Sequence, residues 1–267
     1  MSAIAMTDIG ETRRIAARRR DRLISVGSPI GLLVAWELAA QLHFIDVRFF
    51  PAPSSIVRAL VITAETGELL DNLAISLERL VFGFLLGGVP ALVLGIVMGI
   101  SRPIRAFVDP LISATYPIPK SSILPLILLI FGLGEMSKVV MVAIGVFYPI
   151  AINATAGVLQ INKVYLDVGK SFKAGRWETF RTIALPGALP FIMTGVKLGA
   201  GLGLILIAIA EMVGAKSGIG YMIWSAWETF SVERMYVGLF VIAIIGFVMT
   251  LGLNELERWL IPWKAET

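Results

Sequence analysis

VYLDVGKSFKAGRWETFRTIALPGALP, Val164 to Pro190, is the longest polar interruption after the chain enters its hydrophobic run. It sets Asp167, Lys170, Lys173, Arg176, Glu178 and Arg181 between two strongly apolar blocks. Leu159, Leu166, Phe172, Trp177, Phe180 and Ile183 give the same region an apolar side. A segment with both sides is built as a short helical hairpin that docks onto another surface, not as a bare linker.

What flanks the hairpin sets the class. Of 267 residues, 57% are hydrophobic and 16% charged, and the mean hydropathy is +0.84. A soluble domain of this size still needs a polar coat, and here long segments have no polar face. The chain therefore reads as a membrane protein. With zero cysteines, disulfides, thiolate metal sites and cysteine nucleophiles are excluded. The net charge of +4 is explained by loop asymmetry and not by nucleic-acid binding. No cleavable leader is expected, because a basic tail comes first and no small-residue cleavage site follows a short apolar core.

Residues 1–22 form that tail, with Arg13, Arg14, Arg18, Arg19, Arg20 and Arg22; it reads as an orientation signal held at an anionic leaflet. A first span, 23–43, follows, with a core from Leu23 to Leu42 that holds Pro29 and Glu37. About 20 residues at 1.5 Å each cross a hydrocarbon core near 30 Å. Residues 44–70 read as an external segment with a short surface helix that Ser54 caps and Gly67 ends. Asp71 is expected to cap the next helix, and 71–262 is the membrane core. Its spans are Leu80–Ile100, Leu111–Gly134 broken by Pro117, Pro119 and Pro125, Val139–Gln160, Phe191–Val213 and Met235–Asn254. Gly83 with Gly87, and Gly95 with Gly99, are small-xxx-small pairs that mark close helix packing.

Basic residues test that topology. With six spans and the N-terminus inside, fifteen Lys and Arg fall in inner segments and six in outer ones; Lys120 and Lys197 lie within spans. The bias places residues 160–190, with the hairpin, in the cytoplasm.

At this point the hairpin is identified by its resemblance to the EAA loop of binding-protein-dependent ABC importer permeases. That pattern reads Glu-Ala-Ala, three residues, Gly, nine residues, Ile, one residue, Leu-Pro. Asp167, Val168 and Gly169 fall at the Glu-Ala-Ala positions and Lys173 at the Gly; Ile183, Leu185 and Pro186 match the end. With Lys173 replacing the glycine, Gly175 is expected to supply the turn. PAPSSIV at Pro51, YPIPKSSILPL from Tyr116, FGLGEMSK from Phe131, LPGALPFIMTGVKLG from Leu185 and AEMVGAKSGIGYMI from Ala210 resemble one branch, which imports nitrate, aliphatic sulfonates, taurine, bicarbonate and related solutes.

The resemblance implies an all-α, six-span permease with a type I ABC importer transmembrane domain. It further implies an inner-membrane location and both termini in the cytoplasm. The implied partners are two ATPase subunits, an extracytoplasmic substrate-binding protein and a second copy of the chain. Asp167, Gly169, Phe172, Lys173, Ala174, Gly175, Arg176, Trp177, Phe180, Ile183, Leu185 and Pro186 then carry coupling to the ATPase. Lys173, Arg176 and Arg181 meet its surface, Phe172, Trp177 and Phe180 anchor in its cleft, and Pro186 and Pro190 stiffen the exit to the fifth span. ATP and Mg²⁺ are expected on the partner, with no cofactor on this chain: Gly169-Lys170-Ser171 resembles the end of a phosphate loop, but Val164 stands where its first glycine belongs.

Charges inside spans are costly and face a bundle interior or a watery path. Lys197 and Glu211 either snorkel to opposite faces or, with Tyr116, Pro119 and Lys120, line the pathway or a gate. Two rivals differ in class. An ion-driven secondary transporter leaves the hairpin without a role. An intramembrane enzyme has no constellation here, since the single histidine, His43, cannot make a metal site alone and His43 with Ser217 is a poor nucleophile pair.

Overall fold

A computed structural model describes Ile24 and residues 27–263, the side chains of Leu166, Lys170 and Arg176 excepted. Every regular element among these residues is helical, which satisfies each backbone group within its own segment. In chain order they are α1 (27–41), α2 (Pro53–Glu65), α3 (Glu68–Ile100), α4 (Arg102–Thr115), a 3₁₀ turn (Lys120–Ile123), α5 (Leu124–Phe131) and α6 (Glu135–Leu159). After these come α7 (Lys163–Ser171), α8 (Arg176–Thr179), a π-turn (Phe180–Ala184), α9 (Leu185–Met212), α10 (Ile219–Glu228) and α11 (Val232–Leu260). Four stretches are long and apolar enough to cross a membrane: Glu68–Ile100, Glu135–Leu159, Trp177–Met212 and Val232–Leu260. A bent pair, Arg102–Thr115 with Lys120–Phe131, makes up to five. α1, 27–41, falls within the expected first span, 23–43, and is not among the stretches that meet this length and hydropathy test; the basic tail 1–22 lies outside the described residues.

Several expected boundaries move, each for a local reason. α3 begins at Glu68 and not at Leu80, because Gly67, at φ 81°, turns the chain straight from α2 into it. Asp71 therefore does not cap α3 but sits with Glu68 in its first turn, where a carboxylate favours the helix dipole. Ser54 does not cap α2 either. It lies inside the helix, and Glu37 of α1 reaches across to accept its backbone N–H at 2.9 Å and its hydroxyl at 2.8 Å. The basic turn expected at Ser101–Arg105 is the start of α4, and Arg105 donates back to the Met98 and Gly99 carbonyls that end α3. The expected outer loop before the last span holds α10.

α6 is the axis of the bundle, and glycines explain why. Cβ atoms built on Gly83, Gly87, Gly95 and Gly99 of α3 would come within 2.1–2.6 Å of Val142, Ala143, Ala151 and Val158 of α6. The partners rise together, so α3 and α6 run parallel. On the other side Gly195, Gly199 and Gly203 of α9 meet Pro149, Val146 and Val142 in falling order, so α9 runs antiparallel. The small-xxx-small pairs thus work as expected: backbones approach where no Cβ intervenes. Leu80, Ala91, Met98, Val142, Val146, Ile150 and Leu204 fill the layer between.

Gly87→Ala is expected to lower stability by about 1–3 kcal/mol through overpacking, because its methyl would meet the immovable Ala143 carbonyl at 2.1 Å. Thermal unfolding in detergent checks this against Gly252→Ala, where the added methyl meets nothing within 4 Å and no loss is expected.

Candidate functional site

The hairpin leaves α6 through Gln160–Asn162 and forms α7. Its turn is set by Lys173, whose φ of 56° lies in the left-handed region. Gly175, expected to make that turn, is not in this conformation; among the described glycines positive φ occurs only at Gly67, Gly132, Gly214 and Gly218. The position where the EAA pattern has glycine thus keeps a glycine-like backbone while carrying a lysine. The Ala174 N–H closes the turn on the Gly169 carbonyl at 2.9 Å.

Lys173→Gly is accordingly expected to stabilise the turn by roughly 1 kcal/mol, the cost of a left-handed Cβ. Slower hydrogen exchange at Ala174 is the measurement; unchanged exchange would count against the strain.

Gly169 is buried, and a Cβ there would stand 3.0 Å from Ile183 Cδ1. Two residues fourteen apart in sequence therefore pack α7 against the returning arm of the hairpin, in its π-turn. Beyond the turn, α8, the π-turn and α9 run as one helix, Trp177–Met212, so the fifth span starts well before the expected Phe191. Pro186 has no N–H for the Thr182 carbonyl, and the chain meets that loss by widening to the π-turn at Phe180–Ala184. Leu185 and Pro186 open α9, half-buried. Phe172 is 85% exposed and Trp177 71%, with the Trp177 ring 5.5 Å from that of Phe180. Val164, Tyr165 and Val168 are also exposed, and Asp167 faces the same open side of α7. The Arg176 side chain lies outside the described residues. Gly169-Lys170-Ser171 forms the last three residues of α7.

At the opposite end of the bundle lies a buried polar cluster that the sequence reading did not assemble. Arg79 of α3, 3% exposed, spends all five N–H donors. Nε and Nη2 bind Glu135 at 2.5 and 2.7 Å, Nη1 binds Glu211 at 2.9 Å and the Ser217 carbonyl at 2.8 Å, and Nη2 reaches Ser217 Oγ at 3.1 Å. Glu211, 1% exposed, also accepts from Ser76 Oγ at 2.8 Å and the Gly220 N–H at 3.0 Å. Asn72 and Ser76 accept the N–H groups of Gly218 and Ile219. Gly218 has φ 108°, and a Cβ on it would be 2.2 Å from the Glu211 carboxyl carbon. Lys138 donates to the Leu133, Gly134 and Gly214 carbonyls. A buried charge is tolerable when paired and fully bonded, and this cluster pins α3, α6, α9 and the loop before α10 together. Glu211 is thus held inside the protein by Arg79, Ser76 and the Gly220 N–H. Asn72, Ser76 and Arg79 continue the stripe of Gly83 and Gly87, and that spacing was the available signal.

The remaining expected residues separate. Lys197 is bound to Asn254 at 2.6 Å and to Glu257 of α11. Tyr116 to Pro119 form the break between α4 and the 3₁₀ turn, where the axes differ by 88°. Lys120 caps that break by donating to the Thr115 and Tyr116 carbonyls at 2.9 and 3.1 Å.

Residues 91–265 match the family described as the binding-protein-dependent transport system inner membrane component. The chain belongs to that family.

The taurine transport system permease protein TauC of Escherichia coli strain K12 is 36% identical to it over 92% of both chains. The putative aliphatic sulfonates transport permease protein SsuC of the same organism is 33% identical over 88% of this permease and 90% of that one. In fold, the permease is similar to an amino acid ABC transporter solved with histidines, at a TM-score of 0.59 and 21% identity, covering 77% of this chain and 98% of that one. The permease is an inner-membrane, multi-pass protein.

Proposed function

We propose that this chain is the membrane half of an ATP-driven importer for a small anion, of the kind named in its taurine and sulfonate relatives. It works as a homodimer with two ATPase subunits and receives solute from an extracytoplasmic binding protein. Six spans, with both termini in the cytoplasm, put the hairpin on the cytoplasmic side, as the fifteen-to-six distribution of basic residues favours. Arg79 and Lys138, counted with outer loops in that tally, lie within α3 and α6, so the outer loops are poorer still in basic charge.

The observation that carries the reading is the hairpin itself. Its apolar residues, Phe172 and Trp177 foremost, face away from the bundle, and its second arm is continuous with a spanning helix. A partner that grips those rings moves the span directly, with no flexible link to absorb the motion. Closure of the ATPases on ATP would draw two such hairpins together and turn the cavity outward; hydrolysis would return it. ATP and Mg²⁺ belong to the partner, and the substrate itself is left chemically unchanged.

Uptake of taurine into proteoliposomes that hold permease and ATPase, with loaded binding protein outside, tests this. The account expects uptake that needs enclosed ATP and persists when ionophores collapse ion gradients. Uptake that follows the gradient without ATP would establish the secondary-transporter alternative instead.

A further inference from the structure

The break in the third span is a second feature with work to do. Tyr148 lies about 20 Å along α6 from Glu135 and about 17 Å from Leu159 at 1.5 Å per residue, so it marks the middle of the bundle. Lys120 Nζ lies 4.0 Å from the centroid of its ring and 5.9 Å from that of Tyr116. Here, half-way through, the chain is non-helical from Tyr116 to Pro119 and its side chains are open, Tyr116 at 51% and Ile118 at 45%. Irregular backbone at membrane depth does not face lipid; it is covered by protein or lines water.

Three lysines lie at or within the spanning helices, and they differ in what is left over. Lys138 is buried and has three carbonyls for its three N–H groups. Lys197 has a carboxylate and an amide. Lys120 has two carbonyls and, among the described residues, no carboxylate in ion-pair contact. An ammonium has three donors, so one N–H remains beyond the two carbonyls, and the charge is met by the Tyr148 and Tyr116 ring faces and by no carboxylate among the described residues.

We propose that Lys120, flanked by Tyr116 and Tyr148, is the anion-recognition station half-way along the transport route. Resting on the importer reading above, it takes a small organic sulfonate, whose charged group meets the spare N–H and whose short carbon tail lies along the tyrosine rings. A charge-assisted bond in this setting is stronger than its neutral counterpart, and the two carbonyls hold the ammonium in place in advance. The 88° bend is then what lifts the lysine out of the helix packing and onto the route.

The chain contains no cysteine, so Ile118→Cys places a single reporter beside the station. In membranes holding the whole permease–ATPase complex, its rates of modification by sulfonatoethyl and trimethylammonioethyl methanethiosulfonate are compared through the ATP cycle. The expected result is that water-borne reagent reaches Cys at this position and that ethanesulfonate slows it. Adding Lys120→Gln should lower the anionic-to-cationic rate ratio by about tenfold or more, the reach of one unit charge at close range, while Lys120→Arg preserves it. A cysteine inert to both reagents in every state, or a ratio indifferent to Lys120→Gln, overturns the station. ATP-driven taurine uptake by the same wild-type preparation separates the two ideas. Uptake with an indifferent ratio sinks the station alone, and gradient-driven uptake sinks the importer reading on which it rests.

Discussion

Replacing Glu211 by alanine is expected to cost about 3 kcal/mol of stability, the low end for breaking a buried ion pair, because Arg79 keeps Glu135. The change takes from Arg79, which is 3% exposed, the buried one of its two carboxylates, leaving Glu135, and removes the acceptor of the Ser76 hydroxyl and the Gly220 N–H. Arg79→Ala should cost as much or more, since it leaves the Glu211 carboxyl buried without its ionic partner. The informative variant is the double replacement Arg79→Met with Glu211→Leu. Apolar groups of similar volume remove both charges together, and such swaps are often neutral or better. Glu135 can lose Arg79 without harm because its side chain is 68% exposed. Thermal unfolding in detergent should therefore place the double variant well above either single one. If the double falls as far as the two losses combined, the cluster is not a coupled ion pair.

The second large effect lies at the other end. Phe172→Ala and Trp177→Ala should each reduce capture of the ATPase by at least tenfold, as expected of aromatic anchors at a protein–protein interface. Both rings are largely exposed in the isolated chain, so neither change should move the unfolding temperature of the permease appreciably. Pull-down of the ATPase by tagged permease reads the first quantity, and a melting curve on the same sample reads the second. A variant that loses partner and stability together would make these rings structural and not interfacial.

What was legible in advance followed from local chemistry. Ile183, Leu185 and Pro186 keep both identity and spacing of the EAA pattern, and Gly169 supplies the bare backbone that Ile183 packs against. The glycine stripe of α3 was equally plain. Lys173 was not, because its side chain gives no sign of a left-handed backbone; only the family position did, and Gly175 two residues on was the tempting substitute. Arg79 was hidden by the start of the apolar run at Leu80, which made the preceding turns look like loop. In fact a polar face carries the helix twelve residues further, to Glu68, because Asn72, Ser76 and Arg79 all have partners inside the bundle. The prolines at 117 and 119 announced a break but not its angle, which depends on Lys120 binding the carbonyls that the break exposes. Long-range pairing between α3 and the loop before α10 has no local trace at all.

The most direct test uses the absence of cysteine once more. Ser171→Cys, at an exposed position beside Phe172, places one thiol at the tip of the hairpin without removing an anchor ring, to be joined to the ATPase by a short bifunctional reagent in intact, energised membranes. The account predicts a permease–ATPase adduct formed from the cytoplasmic side, and loss of ATP-driven uptake once it has formed. Labelling of this thiol only from the opposite face, or the absence of any ATPase adduct in a complex that still transports, would contradict it.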